Sequence, residues 1–222
     1  TASEEAVALT VAAAALMGKT PVVVGVAPGF VGNRMLARRT RQAERLLLEG
    51  ASPQEIDAAI AAFGFKMGPF AVSDLSGLDI GWRNRAILGV EAPVADALVA
   101  AGRLGRKTGS GFYRYEGATP EPDPFVEELV IAEAAARGVV RRDIPAEELI
   151  DRLILPLVDE GAVLLAAGIA ASEDDVDLVW RHGFGWPVTR GGPMWYARRR
   201  GLRAVCARLD ELAAHDAALA AS

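Results

Sequence analysis

Apolar residues recur at three- and four-residue spacings along most of the chain, which is the pattern of helices that bury one face. Serine caps and glycine stops mark the ends of several of these helices. Pro156 lies inside the last strongly amphipathic helix and is expected to kink it, because proline cannot donate a backbone hydrogen bond. The pattern predicts helices over residues 4–17, 31–50, 53–63 and 70–76, and the amphipathic helix after Pro145.

Residues 20–26, TPVVVGV, depart from the helical pattern. Their β-branched run predicts a strand that is buried on both faces. No other convincing strand follows in the sequence, and an isolated buried strand would leave its backbone groups unpaired. We therefore expect this strand to belong to a sheet whose other strands lie outside this sequence.

Two segments between the helices differ from their surroundings in composition. Residues 102–117 are glycine-rich and basic and are predicted to form an ordered loop. Residues 119–124, TPEPDP, contain three prolines in six positions, which predicts a linker.

The two halves of the sequence resemble each other, which predicts a divergent helical repeat with a period of about 120 residues. Two copies of an incompletely buried unit are expected to pack against each other inside one chain. The matching pairs are Asn33-Arg34-Met35-Leu36 with Asp151-Arg152-Leu153-Ile154, Gly50 with Gly168, Ser52–Asp57 with Ser172–Asp177, and Gly68-Pro69 with Gly192-Pro193.

Composition and charge exclude several classes of function. A net charge of −5 over 222 residues argues against a nucleic-acid-binding protein, and the basic run at 198–200 is interpreted as a solvated helix face. The single cysteine, Cys206, and the two histidines argue against a disulfide framework and a metal site. The absence of a membrane-spanning run or a signal peptide predicts a cytoplasmic protein, and the start at Thr1 suggests a piece of a longer chain.

The turn at the end of the predicted strand does not fit a phosphate loop. Gly25, Gly29 and Gly32 follow one another at spacings of four and three residues, whereas a dinucleotide-binding fingerprint requires G-x-G-x-x-G. Pro28 removes a backbone N–H group from the position where such a loop needs donors. We therefore assign no cofactor-binding residue to this chain.

Few polar residues are candidates for a functional site. Asn33 lies in the first turn of the long helix, where its amide either bonds nearby backbone N–H groups or reaches into a cleft beside the missing sheet. Gly68-Pro69-Phe70 is either an ordinary turn or a rigid cleft wall. His182 and His215 are interpreted as structural or exposed, because neither has a nucleophile or carboxylate at a recognisable spacing. The residues alone give no complete active site.

Several motifs in a fixed order carry a resemblance to a known family. The segments PVVVGVAPGFVGNRM, LLLEGASPQEIDAAI and GFKMGPFAVSDLSGLD closely resemble the C-terminal portion of L-3-hydroxyacyl-CoA dehydrogenases. The loop GRLGRKTGSGFYRY and the second half, from DRLILPLVDEGAVLLAAGI to GFGWPVTRGGPMWYA, resemble the bifunctional or multifunctional members. In those members the dehydrogenase is fused to an enoyl-CoA hydratase domain, and the C-terminal unit is duplicated.

The resemblance implies a mainly α fold of two tandem helical units, similar to the C-terminal domain of 6-phosphogluconate dehydrogenase and packed as an intramolecular pseudo-dimer. It makes residues 1–28 the last helix and strand of an otherwise missing Rossmann domain. Residues 29–118 are then the first C-terminal domain, 119–124 the linker and 125–222 the divergent copy. Single-copy relatives dimerise through the surface by which the two units are expected to pack here. The duplication covers that surface inside one chain and therefore implies a monomeric chain.

The resemblance also implies the oxidation of L-3-hydroxyacyl-CoA to 3-ketoacyl-CoA in fatty-acid β-oxidation. NAD and the catalytic histidine–glutamate pair belong to the absent Rossmann domain, so the fragment alone is expected to be inactive. Its implied partners are the acyl-CoA substrate, that domain and, in bifunctional members, a hydratase domain. Asn33 matches the catalytic asparagine of the G-F-x-x-N-R motif, and Gly68, Pro69 and Phe70 are assigned to substrate binding. Asp151 takes the place of Asn33 in the second copy, which implies a copy without an active site.

Two other functions remain open at this point. The chain could be a stand-alone helical assembly module descended from the dehydrogenase, or a domain of a different β-hydroxyacid dehydrogenase. The coding sequence upstream of Thr1 distinguishes the module from the enzyme. An assay of acyl-CoA against free hydroxy acids distinguishes the two enzymes.

Overall fold

The computed structural model describes residues 2–88, 90–117 and 119–215, and the described residues are mainly helical. One short antiparallel sheet accompanies eleven helices in this part of the chain, and two 3-10 turns lie at 106–108 and 188–190. The helices are α1 Glu4–Leu16, α2 Gly32–Glu49, α3 Pro53–Phe63, α4 Pro69–Ser76, α5 Leu78–Leu88, α6 Pro93–Ala100, α7 Pro124–Ala136, α8 Ala146–Ala166, α9 Glu173–Gly183, α10 Pro193–Arg200 and α11 Leu202–His215, and the strands are β1 Arg114–Glu116 and β2 Thr119–Glu121.

The helix starts that the caps predict are confirmed. The Ser3 hydroxyl accepts a hydrogen bond from the N–H group of Ala6 at 3.2 Å. Ser52 and Glu55 form the reciprocal capping box, in which each side chain bonds the backbone of the other residue. Pro156 lies inside α8, and the helix continues through it to Ala166.

Residues 20–26 form no strand with the described residues of this chain, and the predicted pairing with a sheet outside this sequence stays a prediction. These residues have no strand assignment, and among them Gly25 donates its N–H group to the carbonyl oxygen of Ile169 at 2.7 Å. A strand requires a neighbouring strand to pair with, and the described residues offer none at this position. The β-branched sequence favours extended backbone, but pairing decides whether that backbone becomes part of a sheet.

The prediction that no strand follows residues 20–26 is wrong. β1 and β2 form a hairpin in which Tyr115 lies opposite Pro120, so half of the predicted linker 119–124 is a strand. Pro120 cannot donate a ladder hydrogen bond, which restricts it to an edge strand such as one of a two-stranded sheet. Asp123 then caps α7 by accepting a hydrogen bond from the N–H group of Phe125 at 3.1 Å.

Two compact units make up the chain. One comprises Thr1–Arg38 and Ile154–Ser222, and the other comprises Arg39–Leu153. The division falls inside α2 and inside α8, not between residues 118 and 125. The assignment of residues 1–28, 29–118, 119–124 and 125–222 to successive domains therefore stays a prediction from the sequence repeat.

Each unit has its own apolar core. In the first unit, the fully buried Trp180 donates from its indole N–H group to the sulfur of Met35 at 3.0 Å, and the Trp180 and Trp186 rings meet edge to face. In the second unit, the buried rings of Phe70 and Phe112 lie 4.4 Å apart between centroids. These cores hold the beginning of α2 and the beginning of α4, respectively, where the candidate residues lie.

Helix α1 differs from the other helices because none of its residues is buried. Leu9 is 71% exposed and Leu16 is 91% exposed, and Val26, after the helix, is 86% exposed. Valines and alanines of α1 line an open depression of about 340 Å³ together with residues 21–24. This amount of uncovered apolar surface marks a face that is suited to contact with another protein surface.

Candidate functional site

A tight turn leads the chain into α2 and places Asn33 there. The N–H group of Phe30 bonds the carbonyl oxygen of Ala27 at 2.9 Å, with Pro28 and Gly29 in the middle of the turn. Gly29 has φ +75°, a conformation that favours glycine, and Phe30 follows with φ +49°. The first turn of α2 therefore starts from a closely defined backbone.

Asn33 is the second residue of α2, and its side chain is exposed. Within the described part of the chain, no hydrogen bond is made by this amide, although its neighbours in the first turn are bonded to the preceding segment. An exposed carboxamide offers two donors and an acceptor to a ligand. This geometry suits the interpretation in which the amide reaches a substrate.

A buried carboxylate lies against the side chains that follow Asn33. Glu160 of α8 is 1% exposed, and its Oε2 accepts a hydrogen bond from the Nε of Arg38 at 2.6 Å. The guanidinium of Arg34 lies against the other oxygen, Oε1, as an ion pair without hydrogen-bond alignment. Sequence reasoning missed Glu160, because the residues it contacts are more than a hundred positions away in the chain.

The glycines that lead into α2, and Gly32 at its first position, have structural causes that do not involve a nucleotide. A Cβ atom on Gly32 would lie 2.0 Å from the ring of Phe184, and one on Gly25 would lie 3.2 Å from the backbone of Ile169. Gly29 is required by the turn. Packing and turn geometry therefore account for the three glycines.

Gly68, Pro69 and Phe70 lie in the second unit, where all three are buried. They form the start of α4, and the N–H groups of Phe70 and Ala71 donate to the two carboxylate oxygens of Asp57, each at 2.9 Å. A Cβ atom on Gly68 would lie 2.3 Å from the Asp57 backbone, so only glycine allows this approach. The corner is thus rigid, as either interpretation of the sequence requires.

Two aspartates and two tyrosines extend this corner into a polar cluster, of which Asp74 and Tyr113 are buried. Tyr113 donates its hydroxyl hydrogen to Asp57 at 2.9 Å, and Tyr115 donates to Asp74 at 3.0 Å. Asp74 also accepts from the N–H groups of Phe112 and Tyr113, at 2.9 and 3.0 Å. Burial raises the pKa of both carboxyls, and burial beside Asp57 raises the pKa of the Tyr113 hydroxyl.

Only part of this cluster is predicted by the sequence. Asp57 was identified by its place in the repeat, but Asp74 and the two tyrosines were not. Tyr113 and Tyr115 stand two positions apart beside and within β1, which directs both hydroxyls to the same side. That spacing is the signal that could have found them.

The first unit repeats the corner of the second. Asp177 accepts hydrogen bonds from the N–H groups of Met194 and Trp195, at 2.7 and 3.0 Å, at the start of α10. A Cβ atom on Gly192 would lie 2.2 Å from the Asp177 carboxyl group. Ser172 caps the preceding helix α9 by accepting from the N–H group of Asp175 at 3.2 Å.

The predicted site residues are divided between the units. Asn33 belongs to the first unit, and Gly68, Pro69 and Phe70 belong to the second. Asp151, the counterpart of Asn33 in the repeat, is buried in α8 at 2% exposure, whereas Asn33 is exposed at a helix start. The two positions therefore have different environments, and the structure describes two local arrangements, each within its own unit.

The described residues contain neither a metal-binding cluster nor a membrane-spanning helix. Over residues 2–88, 90–117 and 119–215, histidine, cysteine, aspartate and glutamate side chains form no group of three that could hold a metal ion. No helix in this described part of the chain has the length and apolarity needed to cross a bilayer.

Comparison with known proteins finds a family that is similar to the segment with Asn33 and Gly68. Residues 29–115 match the family model described as 3-hydroxyacyl-CoA dehydrogenase, C-terminal domain. The 3-hydroxyacyl-CoA dehydrogenase resemblance of the motifs is thereby confirmed.

Relatives extend the similarity over nearly the whole chain. The peroxisomal bifunctional enzyme of Danio rerio is 40% identical over 94% of this chain and 32% of its own length. The fatty acid oxidation complex subunit alpha of Shewanella putrefaciens is 39% identical over 87% of this chain and 28% of its own length. The dehydrogenase part of a multifunctional enzyme from C. elegans is 32% identical, with a TM-score of 0.73, over 95% of this chain and 49% of that one. This chain thus spans about a third of the length of the curated relatives.

Proposed function

We propose that this chain is the substrate-side part of an NAD-dependent L-3-hydroxyacyl-CoA dehydrogenase that produces 3-ketoacyl-CoA in fatty-acid oxidation. The observation that carries the proposal is the exposed Asn33 amide at the start of α2, inside the segment that matches the dehydrogenase family. The relatives named as bifunctional and fatty-acid-oxidation enzymes support the same reaction.

Asn33 would contribute directly to the chemistry. Oxidation of a 3-hydroxyl group to a ketone places negative charge on the oxygen as its proton leaves. A fixed carboxamide N–H group can donate a hydrogen bond to that oxygen and stabilise the charge. The proton acceptor, the histidine of the implied histidine–glutamate pair, belongs to a different domain.

NAD is assigned to that same domain, because the residues of this chain do not fit it. Pro28 lacks an N–H group, and the glycines around it serve the turn and the packing. The exposed apolar surface of α1 and of Val23 and Val26 suits contact with an NAD-binding domain before residue 29. A hydratase domain is a further partner by analogy with the bifunctional relatives, and a cytoplasmic location stays a prediction.

The second half of the chain is proposed to be a diverged copy of the first. Each unit by itself contains a serine-capped helix whose aspartate binds the start of the next helix, after a Gly-Pro pair. Contacts of α2 with α8 are also reciprocal. Arg34 of α2 pairs with Glu160 of α8 in one unit, and Arg152 of α8 donates to Gln42 of α2 at 3.1 Å in the other.

This reciprocity is what two equivalent copies in one chain would produce. Arg34 aligns with Arg152, and Gln42 aligns with Glu160, because the repeat runs without a gap from Asn33 and from Asp151. In an isologous pairing, residue i of one copy contacts residue j of the other, and the reverse. The exchange therefore supports the proposed internal pseudo-dimer, in which the chain acts as a monomer.

Activity of the full-length reading frame tests the proposal. We expect NAD-dependent oxidation of L-3-hydroxyacyl-CoA by the full-length protein and no turnover by residues 1–222 of this chain alone. Asn33→Ala should lower kcat by roughly 100-fold or more with the fold preserved, because a single positioned donor to a developing oxyanion has that magnitude. Asn84→Ala, at an exposed asparagine of α5, is the matched control and should leave kcat unchanged.

Three results would contradict the proposal. A full-length protein without turnover on acyl-CoA substrates would favour the assembly module. Turnover of free hydroxy acids in place of the CoA thioesters would favour a different β-hydroxyacid dehydrogenase. Normal kcat in Asn33→Ala would remove the residue from the site.

A further inference from the structure

Glu160 is the residue of α8 that reaches the beginning of α2. Its carboxylate is 1% exposed, and both of its oxygens face guanidinium groups of α2, those of Arg34 and Arg38. These two arginines are one helical turn apart, and Arg34 directly follows Asn33. Glu160 therefore contacts the residue next to Asn33, whose amide is exposed.

A buried carboxylate holds its partners more firmly than an exposed one does. It has lost its hydration, so its charge must be compensated by the cations and hydrogen bonds in contact with it. Compensation by two arginines of the same helix fixes both the rotation of α2 about its axis and its position along that axis. Because a helix is rigid over one turn, the direction of the Asn33 side chain is fixed as well.

The residue that corresponds to Glu160 in the other copy of the repeat carries no charge. Gln42 accepts a hydrogen bond from Arg152 with a neutral amide, and the place of Arg38 in the second copy is taken by Pro156. A carboxylate at the position shared by Glu160 and Gln42, and an arginine at the position shared by Arg38 and Pro156, thus occur only on the side of Asn33. The half of the repeat with Asp151 in place of Asn33 lacks both.

We infer that Glu160 is a positioning residue, supplied by the second copy, which sets the orientation of the Asn33 amide toward the substrate. The inference rests on the proposed function. It gives the diverged copy a direct part in the reaction, because the carboxylate that orients the active helix comes from α8. Glu160 itself makes no contact with substrate and acts through Arg34 and Arg38.

A double-mutant cycle in the full-length dehydrogenase tests this role. Glu160→Gln keeps the size of the side chain and removes its charge. We expect kcat to fall roughly 10- to 100-fold, as for a misplacement of about 1 Å, with KM for the acyl-CoA changed far less. In the Asn33→Ala background, the same substitution should change kcat by less than about twofold, because the group it orients is already absent.

Glu49→Gln is the matched control. Glu49 of α2 accepts a hydrogen bond from Arg152 of α8 at 2.6 Å, so the variant also loses a carboxylate–arginine pair between the same two helices, far along α2 from Asn33. Glu49→Gln should lower the melting temperature. It should leave kcat unchanged in both the wild-type and the Asn33→Ala background.

Each outcome separates the inference from the function on which it rests. A wild-type enzyme without NAD-dependent turnover would overturn both. An active wild type in which Glu160→Gln has normal kcat, or lowers kcat equally in both backgrounds, would overturn the positioning role alone. A similar loss of kcat in Glu49→Gln would show that any disturbance of these helices has the same effect, and would also overturn it.

Discussion

The hydroxyl group of Tyr113 donates a hydrogen bond to Asp57, with 2.9 Å between Oη and Oδ2. The same carboxylate accepts hydrogen bonds from the backbone N–H groups of Phe70 and Ala71. Three donors on one half-buried acid connect the edge of β1 with the start of α4. The stability of the second unit should therefore depend on this one carboxyl group.

Tyr113→Phe removes a single donor from Asp57 and leaves the ring in place. We expect the free energy of unfolding to fall by about 1–2 kcal/mol, because a hydrogen bond to a charged, half-buried acceptor is lost. Urea denaturation of the variant and the wild type measures the difference. An unchanged midpoint would mean that water replaces the hydroxyl group at no cost.

Asp57→Ala should be more harmful than Asp177→Ala, although both acids bind the start of a helix. Asp57→Ala leaves two N–H groups without an acceptor among buried residues and is expected to cost about 2–4 kcal/mol. At the other corner, Trp195 is 46% exposed, so water can reach its N–H group, and the expected cost is about 1–2 kcal/mol. Thermal or urea unfolding of the two variants shows which one loses more stability. Equal losses of unfolding free energy would contradict this explanation.

Gly68→Ala tests the close approach of α4 to Asp57. The added Cβ would lie 2.3 Å from the backbone of Asp57, so the two helices must separate, at a cost of about 1–3 kcal/mol. Gly183→Ala is the control at the end of α9, where a Cβ meets no atom within 4 Å. The control should be neutral or stabilising by up to about 1 kcal/mol. Equal shifts of the denaturation midpoint in Gly68→Ala and Gly183→Ala would refute the steric explanation.

Glu44 should make the stability of the chain depend on pH. Its side chain is buried, Oε1 accepts hydrogen bonds from the N–H groups of Val94 and Ala95 at 2.5 and 3.1 Å, and burial raises its pKa from 4.5 to about 7. Between these two pH values the folded chain retains a proton that the unfolded chain releases. The free energy of unfolding should therefore fall as the pH rises from 4.5 to 7, by on the order of 3 kcal/mol.

Glu44→Gln isolates that contribution from those of the other buried acids. The amide oxygen can still accept from α6, and the group no longer titrates. The difference in unfolding free energy between variant and wild type should increase in favour of the variant across this pH window. A difference that stays constant between pH 4.5 and 8 would show that Glu44 titrates normally.

Local chemistry explains which parts of the fold could be predicted from the sequence. The Ser52–Glu55 capping box and the glycine stop at Gly64 act within a few residues, so the sequence contains everything that they need. The helices predicted over 4–17, 31–50, 53–63 and 70–76 are found within one residue of those bounds for this reason, whereas α5, α6 and α7 were not predicted. Asn33 was found in the same way, from its position in the first turn of a recognisable helix.

Features that depend on distant partners could not be predicted. The run at 20–26 has strand propensity, but its state depends on whether another strand lies beside it. The hairpin at 114–121 is short and polar, and proline within it argued against a strand. The contact between Arg38 and Glu160 joins residues 122 positions apart, and no local pattern indicates which acid will be buried against which arginine.

The boundaries of the proposed repeat and those of the compact units divide the chain differently. A gene cut at residue 118 would separate Arg152 from Glu49 in one unit and Met35 from Trp180 in the other. Each product would carry one complete copy of the proposed repeat and two incomplete cores. The proposed repeat is therefore not the compact unit, and expressing either copy by itself should yield an unfolded polypeptide.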